Sequence, residues 1–177
     1  MNQNIIIADD FYDIAHKYHK GILEGKLVFT EEIPNKISYL LGRKVKVENL
    51  FNQSDLANTF NPITSNLACD WIAVVYLTLP AECISKKGMS FYSHVRTGLD
   101  SFPDEYTLQL HGLKTHDEIV STFDVKKKED WKEYSSVYVK YNRIVLFNAR
   151  LWHSYGNGFG EQINNSMIYQ KMLIKNA

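Results

Sequence analysis

The stretch WIAVVYLTL (Trp71–Leu79) decides the class of fold. It is dense in β-branched and aromatic residues at both parities of a two-residue period, so a strand here has two apolar faces. Such a strand lies inside a sheet that is covered on both sides. It is also far shorter than the roughly 20 residues that span a bilayer as a helix. Downstream, MSFYSH (Met89–His94) reads as a second strand, set off by a turn at Lys86-Lys87-Gly88. Val137 and Val139 alternate, Tyr141-Asn142 turns, and RIVLFN (Arg143–Asn148) is another strand. Gly156, Gly158 and Gly160 mark a loop, and Ser166–Ile174 supplies the last strand. Thr115 with Glu118 is the pattern of a capping box opening a short helix through Phe123.

Upstream, the period is helical. Phe11, Ile14, Ala15, Tyr18 and Ile22 form one stripe, with Asp9 or Asp10 as the natural N-cap and Gly25 as the stop. Ile33, Ile37, Leu40 and Leu41 form a second, ended by Gly42. Ile5–Ile7 is a short apolar run, and Val45, Val47 and Leu50 alternate as in a half-buried strand. Two helices followed by many short strands predict an α+β chain with a barrel or jelly-roll core rather than a parallel sheet. The 177 residues fit a single domain spanning 1–177.

Composition narrows the function. Twenty basic and twenty acidic side chains cancel, which argues against a dedicated nucleic-acid binder. Lys126–Lys128 runs directly into Glu129-Asp130, the pattern of a solvated turn. The first residues lack a basic segment followed by a long apolar core, so a cytoplasmic protein without a membrane partner is expected. Cys69 and Cys83 sit in no metal or redox spacing and are expected reduced.

Four blocks go further: IADDFYD (Ile7–Asp13), CDWIAVVYLTLP (Cys69–Pro80), GMSFYSHVRTGLD (Gly88–Asp100) and NRIVLFNARLWHSYGNGFG (Asn142–Gly160). In this order the chain resembles an uncharacterised branch of the 2-oxoglutarate/Fe(II)-dependent oxygenase superfamily, from about Ile5 to Ile174. The resemblance implies a double-stranded β-helix (jelly roll, cupin-like) with N-terminal helices. It also implies Fe(II) and 2-oxoglutarate as cofactors, with iron held by a His-x-Asp pair and a distant His. Residues i and i+2 of a strand share a face, which sets the first two ligands side by side. A basic residue beyond the distal His, usually Arg, grips the far carboxylate of the co-substrate.

Residue by residue, His153 falls on the distal ligand. The His-x-Asp pair falls on Thr64-Ser65-Asn66, so Thr64 replaces an imidazole and Asn66 a carboxylate. The co-substrate Arg falls near Met167; shifts of a few residues reach Asn164, Asn165 or Lys171, and of these Lys171 alone is cationic. One imidazole cannot hold ferrous iron against water. His153 is then a metal ligand only if metal binds at all, and having no cofactor is the other expectation. A site rebuilt from His94, His153 and a carboxylate such as Asp70 is a further alternative, with His111 and His116 in a loop over its mouth.

Other residues carry two readings. Tyr76, Tyr92 and Tyr155 either line a pocket or pack the barrel with their hydroxyls at its rim. Arg96 either pairs with His94 as an anion site or is a surface charge near the Thr97-Gly98 turn. Asn148 belongs to a pocket wall, Gln170 points inward at a bound polar group, and Arg143 is a turn residue. Cys69 is a nucleophile or, more simply, a core thiol. Two functions follow. The first is an oxygenase-like enzyme on a small molecule or peptide, with His153 and His94 as acid and base for isomerisation, cyclisation, elimination or hydrolysis. The second is a non-catalytic pseudoenzyme or ligand-binding partner of an active oxygenase, with homo-oligomerisation an open alternative.

Overall fold

A computed structural model describes residues 4–83 and 86–177. The elements in chain order are β1 (Ile5–Ala8), α1 (Ala15–Leu23), α2 (Glu32–Leu41), β2 (Val45–Asp55), β3 (Trp71–Tyr76), β4 (Lys87–His94), α3 (Glu105–Leu110), α4 (His116–Thr122), β5 (Trp131–Tyr138), β6 (Arg143–Asn148), β7 (His153–Ser154) and β8 (Met167–Asn176). All strand pairs are antiparallel. One sheet has the order β1-β6-β3-β8-β2, and a smaller one has β5-β4-β7. The two are separate sheets: of the barrel or jelly roll expected, no closed barrel occurs among the described residues.

β3 is buried along its whole length, as its composition requires. Trp71, Ala73 and Val75 face α1 and α2, where Tyr18, Ile22, Ile33 and Ile37 close one core. Ile72, Val74 and Tyr76 face the smaller sheet, where Met89, Phe91, Val145, Phe147, Met167 and Tyr169 close a second. Burial of each such Val, Ile or Phe contributes roughly 1.5–3 kcal/mol. A third cluster of Phe123, Trp131 and Trp152 lies on the outer face of the smaller sheet, beneath Leu108, Leu113 and Ile119 from the α3–α4 segment.

Several local readings hold. α2 ends at Gly42, whose φ of 64° is the left-handed conformation glycine takes without strain. Thr115 and Glu118 form the capping box of α4. Others change. The Phe11–Ile22 stripe is only partly helical: α1 begins at Ala15 with no side-chain cap. Asp10 has a φ of 57°, and Asp9 instead bonds Lys140 and Arg143. These two cations pull the Asp9 carboxyl down to about 2. Arg143 thereby starts a strand and anchors the end of β1 to β6. Lys87 and Gly88, expected in a turn, belong to β4; the rest of that connection includes positions 84–85, outside the described residues. The strand read at Val137 begins at Trp131 and ends at Tyr138, because β5 pairs with β4 as far as His94. No described helix is long and apolar enough to cross a membrane.

One hydrogen bond ties the sheets together across the second core. The Tyr76 hydroxyl, on β3, accepts from the Met89 N–H of β4 at 2.8 Å. Burial pushes this phenol well up, so it stays neutral. Tyr76→Phe leaves the Met89 N–H buried without an acceptor, and urea denaturation is expected to show a loss of about 1–3 kcal/mol with an unchanged m-value.

Candidate functional site

The inner face of the smaller sheet carries His153. β7 is short, and residues 60–66 run alongside it without forming a named strand. Thr64 N–H donates to the His153 carbonyl at 2.8 Å, and His153 N–H donates to the Thr64 carbonyl at 2.9 Å. They are a directly opposed, hydrogen-bonded pair, so their side chains share one face. On the other side of β7, Phe91 of β4 opposes His153. Asn66 N–H donates to the Ala149 carbonyl at 2.8 Å, which holds the Thr64–Asn66 segment against the approach to β7.

The His153 ring is 0% exposed. It packs edge-on against Phe147, with centroids 4.7 Å apart, and against Tyr155 at 5.3 Å. Its Nδ1 lies 2.8 Å from the Leu151 carbonyl. A carbonyl only accepts, so Nδ1 carries the proton and Nε2 presents a bare lone pair. That nitrogen has no hydrogen-bond partner among the described residues. Burial drives the imidazole down to about 4, with Lys171 adding to the shift.

Around this ring stand groups that the sequence flags only in part. Tyr155 stacks on Tyr169 with centroids 6.0 Å apart. The Lys171 ammonium sits 5.1 Å from the Tyr155 ring and 5.3 Å from the Phe51 ring. Lys171 is half-buried on the inner-face parity of β8, and desolvation lowers its pKa. Asp55, buried at the end of β2, accepts from Tyr169 Oη at 2.9 Å and from Asn61 Nδ2 at 2.9 Å. Its sequence signal is slight: a carboxylate at the end of an alternating strand. Desolvation raises the Cys69 pKa, which fits a core thiol rather than a nucleophile.

The residues picked from sequence separate onto different surfaces. Thr64, Tyr76, Met167 and His153 meet in or beside the inner core. Tyr76 is occupied in tying the sheets, and Met167 is fully buried. Gln170 faces the helices instead: its Oε1 accepts from Tyr12 Oη at 2.7 Å, and its Nε2 donates to Asn52 Oδ1 at 2.9 Å. Asn148 lies at the end of β6, where its Oδ1 accepts the Arg150 N–H and it borders a cleft with Asp70 and Arg43. Tyr92 lines an outer cleft of about 310 Å³ with Ser90, Trp131 and Ser154.

His94 packs on Phe123 and Trp131, in the cluster outside the smaller sheet. Phe91 opposes His153 on the inner face, and His94, three residues along, falls on the other face. The sheet itself lies between the two imidazoles, so the fold does not bring them together. Nor does Asp70 join them, since its Oδ2 accepts the Asn176 N–H at the far end of the larger sheet.

The same arrangement tests the iron site that the resemblance implies. At the two positions on which the His-x-Asp pair falls stand the Thr64 hydroxyl, 3.2 Å from the Ser65 carbonyl, and the Asn66 amide, whose Oδ1 accepts from Ala68 N–H at 2.8 Å. No group of three His, Cys, Asp or Glu side chains able to hold a metal occurs among the described residues. One neutral imidazole with a hydroxyl and an amide does not make the multidentate site that ferrous iron requires.

Several solved structures share this sheet and helix arrangement. HygX from Streptomyces hygroscopicus with iron bound aligns at a TM-score of 0.53 and 9% identity, over 98% of this chain and 83% of that one. The non-haem α-ketoglutarate-dependent carbocyclase SnoK from nogalamycin biosynthesis aligns at 0.52 and 11%, over 99% and 81%. The epimerase SnoN of the same biosynthesis aligns at 0.50 and 13%, over 98% and 77%. The chain has the fold of these enzymes. At such identities the likeness establishes architecture alone. HygX has also been seen with 2-oxoglutarate and nickel, and SnoN with Fe3+ and α-ketoglutarate. No family model and no curated protein matches the sequence.

The burial of His153 has a measurable consequence. Its folded pKa lies below the unfolded value, so the unfolded chain binds more protons between about pH 6.5 and pH 4, and stability falls as pH falls through that window. The loss from this group is roughly 3 kcal/mol at 1.4 kcal/mol per pKa unit. Denaturation at stepped pH is expected to show that slope, and His153→Leu to flatten it while lowering stability at pH 7.

Proposed function

We propose that this is an oxygenase-fold protein, built on a jelly-roll ancestor, that binds a small molecule or peptide without the iron chemistry of its structural neighbours. The observation that carries the reading is the His153–Thr64 pair. The one imidazole in the distal-ligand position faces a threonine across the strand pair, where the family pattern asks for a second imidazole. Asn66 in place of a carboxylate removes the anionic charge that would offset a divalent cation. Neither Fe(II) nor 2-oxoglutarate is therefore assigned as a working cofactor.

What this chain can do there follows from its own side chains. His153 Nε2 has a free lone pair, which would accept from the N–H or O–H of a ligand that reaches the buried ring. With a pKa near 4 it is a weak base at neutral pH, better suited to orienting a ligand than to abstracting a proton. Lys171, on the same face, offers a partly desolvated ammonium for a carboxylate or carbonyl oxygen. Non-oxidative rearrangement is the catalytic form of this reading. A non-catalytic partner of an active oxygenase is its second form, supported by the complete burial of His153.

Anaerobic titration with Fe(II), with and without 2-oxoglutarate, tests the proposal directly. Sub-stoichiometric metal and no succinate are expected, whereas one iron per chain with succinate release would overturn it. The double variant Thr64→His with Asn66→Asp restores a His-x-Asp pair opposite His153. It is expected to bind Fe(II) at least tenfold more tightly than the native chain.

A further inference from the structure

His94 stands apart from the inter-sheet interior, and its surroundings form a second place of chemistry. The turn after β4 carries Arg96 and Thr97, while the α3–α4 connection brings His111 and Leu113 over it, with Thr122 from the end of α4. These five residues line a cleft of about 230 Å³. None of them is acidic. The arginine–carboxylate ion pair of the described residues is Arg143 with Asp9, and Arg96 takes part in none. The Arg96 guanidinium is exposed at the rim, and so is the His111 ring.

Behind this rim lies His94, 1% exposed. Its Nδ1 is 3.0 Å from Thr97 Oγ1, so it backs a residue that lines the cleft. The Thr122 backbone approaches the ring from another lining residue, yet Nε2 closes no hydrogen bond among the described residues. Phe123 and Trp131 hold the ring edge-on at 5.1 and 5.2 Å, which fixes its direction. Asp130 acts on His94 in the opposite sense to Arg96. It belongs to the turn before β5 and is not part of the cleft lining.

We infer that the Arg96–Thr97–His111 cleft, with His94 behind Thr97, is a binding site for an oxyanion group, a phosphate or carboxylate carried by a small molecule. Arg96 supplies a planar fork of donors for paired oxygens. His111 supplies a ring N–H and the Thr97 hydroxyl a third donor. His94 lies behind the hydroxyl and, as the Nδ1–H tautomer, donates to Thr97 Oγ1, which leaves the hydroxyl proton for the ligand. The cleft admits a head group and a few further atoms, not a polymer. The site is on the outer face of the smaller sheet and does not depend on any role of His153.

Titration of the full chain with inorganic phosphate and with acetate, followed by amide and imidazole NMR at matched ionic strength, tests this. Saturable shifts at Thr97, His111 and Leu113 and in the His94 ring are expected with at least one of the two anions, and the tighter one names the head group. Arg96→Gln is expected to weaken that binding at least tenfold and His111→Gln several-fold. Lys126→Gln, on a solvated turn, should leave it unchanged. Equal shifts with chloride, shifts that never saturate, or an Arg96→Gln chain that binds as tightly as the native one would overturn the site. A silent His94 ring beside a responding Arg96 would remove His94 from it.

Discussion

The structure depends on the burial of β3 on both faces. A strand without a polar side must have hydrogen-bonded neighbours along both edges and apolar cover above and below, since neither its backbone nor its side chains meet water. β6 and β8 supply the edges, leaving β1 and β2 as the outer strands of the sheet. α1 and α2 supply one cover and the smaller sheet the other. The hydrogen bond from Met89 to Tyr76 crosses the second interface and holds β4 against β3. Gly88, next to it, has no room for a side chain because the Tyr76 ring fills that space.

The same dry interface sets the chemistry of His153. An imidazole placed among Phe91, Phe147 and Tyr155 loses its hydration, and the neutral form wins by a wide margin. The Leu151 carbonyl then selects the tautomer, which turns the free lone pair away from the chain's own partners. On the outer face the balance differs. Arg96 and His111 keep their water, with one buried imidazole behind them. One thin sheet thus separates a desolvated acceptor from a solvated group of donors, and a ligand suited to one face has the wrong charge pattern for the other.

Much of the architecture was legible along the chain. The doubly apolar β3, the β6 run, the Gly42 stop and the Thr115–Glu118 capping box are local patterns, and each appears where its pattern lies. The start of α1 was not legible. Phe11 belongs to the helical stripe, but it and Tyr12 are buried in the non-helical approach to α1, where the Tyr12 backbone bonds the Asn142 side chain 130 residues away. The grouping of site residues failed for a related reason. Gln170 and Met167 lie three apart on β8 and so point to opposite layers, and which layer holds the site depends on what packs there.

The amino-acid sequence by itself determined the strand-rich α+β class, the central position of Trp71–Tyr76, the single imidazole at position 153 and the absence of imidazole and carboxylate at Thr64 and Asn66. These are properties of residue identity and of periods two and 3.6, which need no partner to be read. Tertiary structure alone decided that the sheets stay separate, that Thr64 opposes His153, and that His94 packs on Phe123 and Trp131, away from His153. Each of those facts is a register between segments distant in the chain. A one-residue change of register exchanges the two faces of a strand, so no local pattern can specify which side chains meet.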